Sequence, residues 1–152
     1  MNKLFLLFLI SLSISSFGQR LVIDTQFKCD KTTISYKDYT QKIKVFKYSR
    51  NRTISDTTFV YFYNSRLHGT AVRLVITDTV LPNIRLFSDY GQYDGKSNAD
   101  FGLKNYSLTL NRTEYKKGDT LMGKFECLSL PIKYQNDETI YLYGNIFHVF
   151  DD

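Results

Sequence analysis

Runs rich in Val, Ile, Thr, Tyr and Phe follow one another along most of the chain, and they constrain its fold more than any other feature. These residue types fit the pleated, half-buried surface of a β-strand better than they fit a helix. Turn-forming residues separate most of the runs, without clear helical segments between them. Such spacing is typical of antiparallel sandwiches and barrels. The sequence therefore predicts an all-β fold, an antiparallel immunoglobulin-like β-sandwich of about 7–9 strands.

About eight runs have strand character, and short polar segments that favour turns lie between most of them. The predicted strands are Leu21 to Cys29, Lys42 to Tyr48, Thr57 to Tyr63, Ala71 to Thr77, Asn83 to Phe87, Lys104 to Asn111, Leu121 to Leu128 and Thr139 to Phe150. The predicted turns include Ser49-Arg50-Asn51-Arg52, Leu81-Pro82-Asn83 and Asp94-Gly95.

The N-terminal segment has the layout of a secretory signal peptide. Lys3 precedes an apolar run from Leu4 to Ile10, and small residues at Ser16 and Gly18 suit a peptidase. The apolar run is too short to span a bilayer, which takes about 20 apolar residues. We therefore expect cleavage after residue 18, leaving residues 19–152 as a single secreted or periplasmic β-sandwich domain. A lipobox would need cysteine directly after the cut, where Gln19 stands.

The charge of the expected mature chain is mildly basic, with 19 Lys and Arg against 15 Asp and Glu, a net charge of +4. Its distribution is uneven, because the stretch from Lys28 to Arg73 is basic and the remainder is acidic overall. A basic face around Lys42, Lys44 and Arg52 is one candidate binding surface, and a merely solvated strand face is the alternative. No nucleic-acid-binding motif occurs, so nucleic acid is not an expected partner.

Two cysteines occur, Cys29 and Cys127, in a chain expected to enter an oxidising compartment. Strand parity places Cys29 with Leu21, and Cys127 with Phe125, on faces that point to the core. The sequence predicts a Cys29–Cys127 disulfide, with two unpaired buried thiols or a reactive thiol as the alternatives.

A long loop from Asp89 to Gly102 carries the most suggestive side chains. Tyr90, Tyr93 and Phe101 are aromatic residues on a long loop, a common way to build a binding surface. An irregular loop without a ligand is the alternative interpretation.

The same loop is rich in oxygen-bearing side chains. Asp89, Asp94, Asn98 and Asp100 are hard ligands of the kind that calcium prefers. Their spacing lacks the EF-hand pattern and its closing Glu. A calcium site is therefore a candidate, and no other cofactor is expected.

Aromatic residues also alternate in the third predicted strand. Phe59, Tyr61 and Tyr63 share one face, and Val60 and Phe62 share the other, so one set must lie outside or at the margin of a layer. A tyrosine row on an open sheet face can stack on sugar rings. Packing against Lys or Arg stems on neighbouring strands is the alternative role.

The sequence carries no catalytic motif. His68 is expected in an exposed turn and His148 in the last strand, and no nucleophile elbow or zinc-protease motif occurs. The stretches 115–125 and 140–150 resemble the closing strands of small secreted bacterial β-sandwiches, which implies an architecture but no activity. We expect a non-enzymatic binding or interaction module of the bacterial envelope or exterior that recognises a protein or glycan. The alternatives are a small secreted hydrolase using loop carboxylates with His68, and a structural envelope subunit.

Overall fold

The computed structural model describes residues 18–37 and 41–151, and these residues form eleven β-strands. The strands are β1 Gln19–Ile23, β2 Ser35–Lys37, β3 Ile43–Val45, β4 Tyr48–Ile54, β5 Thr57–Tyr63, β6 His68–Ile76, β7 Val80–Ser88, β8 Asn98–Phe101, β9 Leu103–Leu110, β10 Thr120–Ser129 and β11 Tyr141–Val149. The predicted leader lies outside the described residues apart from Gly18. Among the described residues, no helix has the length and apolar character needed to cross a bilayer.

Two sheets enclose one hydrophobic core. The six-stranded sheet has the order β1-β9-β10-β11-β2-β3, and the five-stranded sheet has the order β4-β5-β6-β7-β8. Alternating side chains of both sheets, among them Phe62, Leu74, Leu108 and Phe125, are buried in a common cluster. This arrangement confirms the all-β prediction and is consistent with a β-sandwich. The strands outnumber those predicted, mainly because three short strands lie in segments expected to be loops or parts of other strands.

All strand pairs are antiparallel except one. β1 runs parallel to β9, with Gln19 opposite Tyr106 and Ile23 opposite Leu110. The five-stranded sheet is a meander in which each strand pairs with the next along the chain. A meander keeps sequence neighbours adjacent in space, so its outer face is built from one continuous stretch of sequence.

Two of the predicted turns are wrong. Residues 49–52 lie inside β4, and the turn falls at Ser55, which has a φ of +50°. Pro82 lies inside β7, opposite Leu74 of β6. The β8 strand pairs only with residues 84–87, so Pro82 faces an unpaired side and its missing N–H costs no ladder bond. The Asp94-Gly95 turn is confirmed, because Tyr93 and Lys96 pair across it and both turn residues have positive φ.

The first predicted strand is shorter than expected. The Asp24 carboxylate accepts a hydrogen bond from the Gln26 N–H, and the Asp24 carbonyl accepts one from the Phe27 N–H. These turn contacts take the chain out of the sheet after Ile23. Cys29 consequently lies in the connection to β2 rather than in a strand, and the parity argument does not apply to it.

The predicted disulfide is also absent, since Cys29 and Cys127 are both free. The Cys29 thiol donates a hydrogen bond to the Ile146 carbonyl at 3.3 Å, and Ile146 is opposite Gly123 in β10. Cys127 lies four residues further along β10, or about 13 Å at the usual rise of a strand, which is beyond the reach of a disulfide. Burial raises the pKa of both thiols, that of Cys127 to about 12, so both remain protonated at neutral pH.

Candidate functional site

The outer face of the five-stranded sheet carries arginines beside aromatic rings. In the β4–β5 pair, Arg50 lies opposite Tyr61, Arg52 opposite Phe59, and Tyr48 opposite Tyr63. Strand alternation sends the intervening residues, Asn51, Val60 and Phe62 among them, to the buried face. The pairing register therefore concentrates cationic and aromatic side chains on one solvent-facing surface.

A groove of about 560 Å³ lies on this face, which we call the arginine–tyrosine groove. The groove forms where β6 places the small Ala71 between the larger side chains of Tyr63 in β5 and Arg85 in β7. The groove is lined by Arg50, Tyr61, Tyr63, Arg66, Ala71, Arg85, Phe87, Ser88, Asp89, Ser97 and Asn98.

Two of its arginines rest on aromatic rings and form no salt bridge with any described residue. The Arg50 guanidinium carbon lies 5.2 Å from the centroid of Tyr61 and 5.8 Å from that of Tyr63. The Arg66 guanidinium carbon lies 4.8 Å from the ring centroid of Tyr48. Both side chains are exposed, and within residues 18–37 and 41–151 neither forms a salt bridge. Their charge is therefore available to a ligand.

Two other arginines, Arg73 and Arg85, share one carboxylate as their ion-pair partner. Asp100 accepts hydrogen bonds from Arg85 Nε at 2.6 Å and Nη2 at 2.8 Å, and Arg73 Nη2 lies 2.9 Å away. Burial by itself would raise the pKa of Asp100, but the bonds from Arg85 and the charges of both arginines outweigh it, so the pKa is lowered. The hydrogen bond to Asp100 raises the pKa of Arg85. This cluster joins β6, β7 and β8 and stabilises the wall of the groove.

The aromatic residues of the long loop contribute less to a binding surface than the sequence predicts. Tyr90 is 76% exposed and projects into solvent, whereas Tyr93 is buried. Phe101 lies in β8 and packs edge-on against Tyr134, with ring centroids 6.2 Å apart. The loop aromatics therefore do not form one joint binding surface, and of the three only Tyr90 extends outward.

The predicted basic face is divided between the sheets. Lys44 lies in β3 of the six-stranded sheet, with Lys42 exposed just before that strand. Arg52 lies in β4 of the five-stranded sheet, next to Phe59. Only Arg52 shares a face with the arginine–tyrosine groove.

The candidate calcium ligands are separated by their own contacts. Asp94 accepts hydrogen bonds from the Tyr134 hydroxyl and from Lys133 Nζ, the latter at 3.3 Å, and these contacts lower its pKa. Asp100 is held by arginines, while Asp89 and Asn98 line the arginine–tyrosine groove. In the part of the chain that the structure describes, no three His, Cys, Asp or Glu side chains converge on a possible metal position.

A second groove of about 830 Å³ opens beside β3 and the β5–β6 turn, and we call it the end groove. It is lined by Tyr36, Ile43, Lys44, Val45, Lys47, Asn64, Ser65, His68, Gly69, Thr70, Leu86, Gln92, Tyr93, Tyr134 and Gln135. The Tyr36 hydroxyl lies 2.8 Å from that of Thr70 and accepts a bond from Asn64 Nδ2, which ties the two sheets together here.

The residues of the hydrolase hypothesis line different grooves or pair with cations. His68 lines the end groove and Asp89 lines the arginine–tyrosine groove, although their backbones are neighbours, since His68 pairs with Ser88. Asp94 and Asp100 are bound to cationic side chains. General acid–base catalysis requires such groups within hydrogen-bond reach of one reacting centre, and the hydrolase stays a prediction.

His148 is a structural residue of the core. Its Nδ1 lies 3.0 Å from the Ser49 hydroxyl and its Nε2 lies 2.9 Å from Asn51 Oδ1, so it links β11 to β4 across the two sheets. Burial lowers the pKa of His148. Both ring nitrogens are occupied by these contacts, as expected for a buried histidine that supports the fold.

Comparison with family models, with curated proteins and with solved structures found no match to this chain.

The sequence alone does not locate the arginine–tyrosine groove, because the groove depends on pairing register. The sequence predicts the tyrosine row of β5, but it also predicts a turn at residues 49–52, which would keep Arg50 away from Tyr61. One signal was present: from Tyr48 to Ile54, longer side chains alternate with Ser49, Asn51 and Thr53. Interpreted as a strand, that alternation would have placed Arg50 and Arg52 on the face of a neighbouring tyrosine row.

Proposed function

We propose that this chain is an exported, non-enzymatic binding module of the bacterial envelope or exterior, which recognises a protein or glycan through the arginine–tyrosine groove. One observation carries the proposal: Arg50 and Arg66 lie exposed on aromatic rings at a groove, without a carboxylate partner among the described residues. A stacked guanidinium is held in place and keeps its hydrogen-bond donors free, so it is prepared to bind an anionic group.

Export is supported by the leader. Its lysine, apolar run and small residues suit the secretory machinery. The β1 strand begins at Gln19, the residue predicted to follow the cut, so cleavage there would leave the whole strand in the mature protein. Mass spectrometry of the protein from its host tests this part; a mature N-terminus other than Gln19 contradicts it.

The scaffold is proposed to be immunoglobulin-like in the broad sense of two largely antiparallel sheets around one core. The shared core of the two sheets supports this assignment. The meander from β4 to β8 differs from the strand order of immunoglobulin domains, whose sheets exchange strands through Greek-key connections.

A structural envelope subunit is the second candidate, and the edge strand β3 favours it. β3 is the last strand in the order of its sheet, and Ile43 is 67% exposed and Val45 is 41% exposed on it. Concentration-dependent assembly in light scattering, abolished by Ile43→Lys, would support it. A strictly monomeric protein would exclude it.

The binding proposal is tested by charge removal at the groove. The double variant Arg50→Gln/Arg66→Gln removes both unpaired cations, and Lys117→Gln/Lys124→Gln removes the same charge from exposed positions outside the groove. Envelope proteins and glycans of the host, immobilised as an array, should retain the wild type and the control but lose the groove variant. Equal retention of both variants would show that the groove is not the binding site.

A further inference from the structure

The arginine–tyrosine groove differs in chemistry between its two ends. Arg50 of β4 and Arg66 of the β5–β6 turn supply unpaired cations at one end. Asp89, Ser97 and Asn98 supply oxygen and amide groups at the other, beside β7 and β8. Neighbouring strands are about 4.8 Å apart, so Arg50 on β4 is about 14 Å from β7, the strand that Asp89 follows. The Arg66 backbone is nearer to Asp89, whose N–H donates to the Leu67 carbonyl at 3.2 Å, but the Arg66 guanidinium extends to Tyr48 of β4. A ligand that fills the groove therefore meets positive charge first and hydrogen-bond acceptors last.

Aromatic rings form the part between these ends. Tyr48 and Tyr63 stack with centroids 5.5 Å apart, and Phe87 meets Tyr63 edge-on at 6.1 Å. The small Ala71 leaves the space beside Tyr63 open. Because Tyr48 covers one face of Tyr63, the middle of the groove offers the space over Ala71, bordered by the rings of Tyr63 and Phe87, to a ring of the ligand.

We propose that the ligand is an acidic glycan, a polysaccharide whose sugar rings carry carboxylates. This inference rests on the proposed function and specifies its ligand class. The guanidinium groups of Arg50 and Arg66 bind the carboxylate, and the sugar ring packs over Ala71, beside Tyr63. Hydroxyls of the next sugar donate to Asp89 and bind Asn98. Each end of the groove then meets a ligand group of complementary chemistry.

Carboxylates fit this site better than densely sulfated chains do. A guanidinium matches the planar carboxylate with two parallel hydrogen bonds. The groove has only two unpaired arginines, and the Asp89 carboxylate would repel an anion placed at the opposite end. A polymer with at most one negative charge per sugar places less charge near Asp89 than a chain with several sulfates per sugar does.

An acidic peptide is the less suitable occupant. Extended peptides bind by adding a strand to a sheet edge, and helices bind in apolar grooves. This groove lies on the face of a sheet and is lined largely by polar side chains. It therefore offers neither main-chain pairing nor an apolar channel.

The test measures affinity of residues 19–152 for three uronic-acid polymers of different stereochemistry: polygalacturonate, alginate and hyaluronate. Methyl-esterified polygalacturonate, dextran sulfate and polyglutamate are the comparison probes. We expect saturable binding of at least one uronic-acid polymer. A polymer that binds should lose at least tenfold in affinity when its carboxylates are esterified, and about 100-fold in Arg50→Gln/Arg66→Gln. Lys117→Gln/Lys124→Gln should bind like the wild type.

Asp89→Asn separates sugar recognition from simple charge attraction. This variant loses a strong acceptor for sugar hydroxyls, so its affinity for the acidic glycan should fall about tenfold. It also loses a negative charge, so its affinity for polyglutamate and dextran sulfate should rise or stay constant.

Each outcome distinguishes the ligand class from the binding function. If none of the uronic-acid polymers binds, the glycan inference is wrong, while the array experiment still decides the proposed function. If polyglutamate or dextran sulfate binds as tightly as the best uronic-acid polymer, and Asp89→Asn strengthens all of them, the groove recognises charge alone and the inference is overturned. If glycan binding survives Arg50→Gln/Arg66→Gln, both the inference and the proposed site fail.

Discussion

Replacing His148 by leucine tests how the two sheets are held together. The substitution keeps a side chain of similar size between Phe62 and Phe150, so packing changes little. It removes the hydrogen bonds to Ser49 and Asn51. Ser49 is exposed and can bond to water, whereas Asn51 is only 7% exposed and its Nδ2 already has no partner among the described residues. The variant therefore leaves a buried amide with neither its donor nor its acceptor satisfied.

The cost follows from these contacts. Two lost hydrogen bonds contribute about 1 kcal/mol each, and the orphaned amide adds about 1–3 kcal/mol. We expect the free energy of unfolding to fall by about 3 kcal/mol in His148→Leu, a shift of about 1–2 M in the urea midpoint. In His148→Leu/Asn51→Leu both partners become apolar, so most of this loss should be recovered. Urea unfolding followed by circular dichroism measures both variants.

The same histidine predicts a pH dependence. Because burial lowers the pKa of His148 in the folded state, the unfolded chain takes up its proton first as the pH falls. Stability should therefore decrease as the pH falls below about 6.5 and level off below the folded pKa. The His148→Leu/Asn51→Leu variant should lack this decrease. These roles of His148 and Asn51 would be contradicted if the double variant lost as much stability as the two single variants together, or if its stability varied with pH as that of the wild type does.

Three further predictions concern other parts of the sandwich. Gly144→Ala should lower the free energy of unfolding by about 2–4 kcal/mol, because the added Cβ would lie 2.7 Å from the backbone of Ile34 at a φ of +145°. An unchanged free energy of unfolding would contradict this close contact. Cys29 and Cys127 should both be alkylated after denaturation without reductant, with Cys127 protected in the folded protein; a mass two hydrogens lower and no alkylation would instead indicate a disulfide. Asp100→Asn should remove a contribution to stability that comes from the lowered pKa of Asp100 in the folded state. That contribution is present above about pH 4 and is lost as the pH falls through the folded pKa. An acid-unfolding profile equal to that of the wild type would argue against the ion pair.

The strands themselves were largely predictable from local sequence. Alternation in β5 and β10 separates Phe62 and Phe125 from their less buried neighbours, and both are buried as the period-two pattern requires. The Asp94-Gly95 turn was equally clear, because a two-residue hairpin turn favours residues that tolerate positive φ. These features depend on a few consecutive residues.

Features that depend on distant contacts could not be predicted in this way. Parity indicated that Cys127 faces the core but not its distance from Cys29, and the Asp24 turn takes Cys29 elsewhere along the sheet. The arginine–tyrosine groove requires the register that places Arg50 opposite Tyr61, which no local pattern specifies. The candidate site therefore depends on how the strands pair, in addition to the alternation within β4.

Nuclear magnetic resonance of the arginine side chains offers the most direct test of ligand binding in the arginine–tyrosine groove. Labelled protein covering residues 19–152 is titrated with oligogalacturonate while the Nε–H signals of Arg50 and Arg66 and the ring signals of Tyr63 are followed. We expect saturable shifts of all three with one common affinity, and little change at Lys124. Unchanged arginine signals, or shifts confined to the end groove around Lys44, would show that the ligand does not bind in the arginine–tyrosine groove.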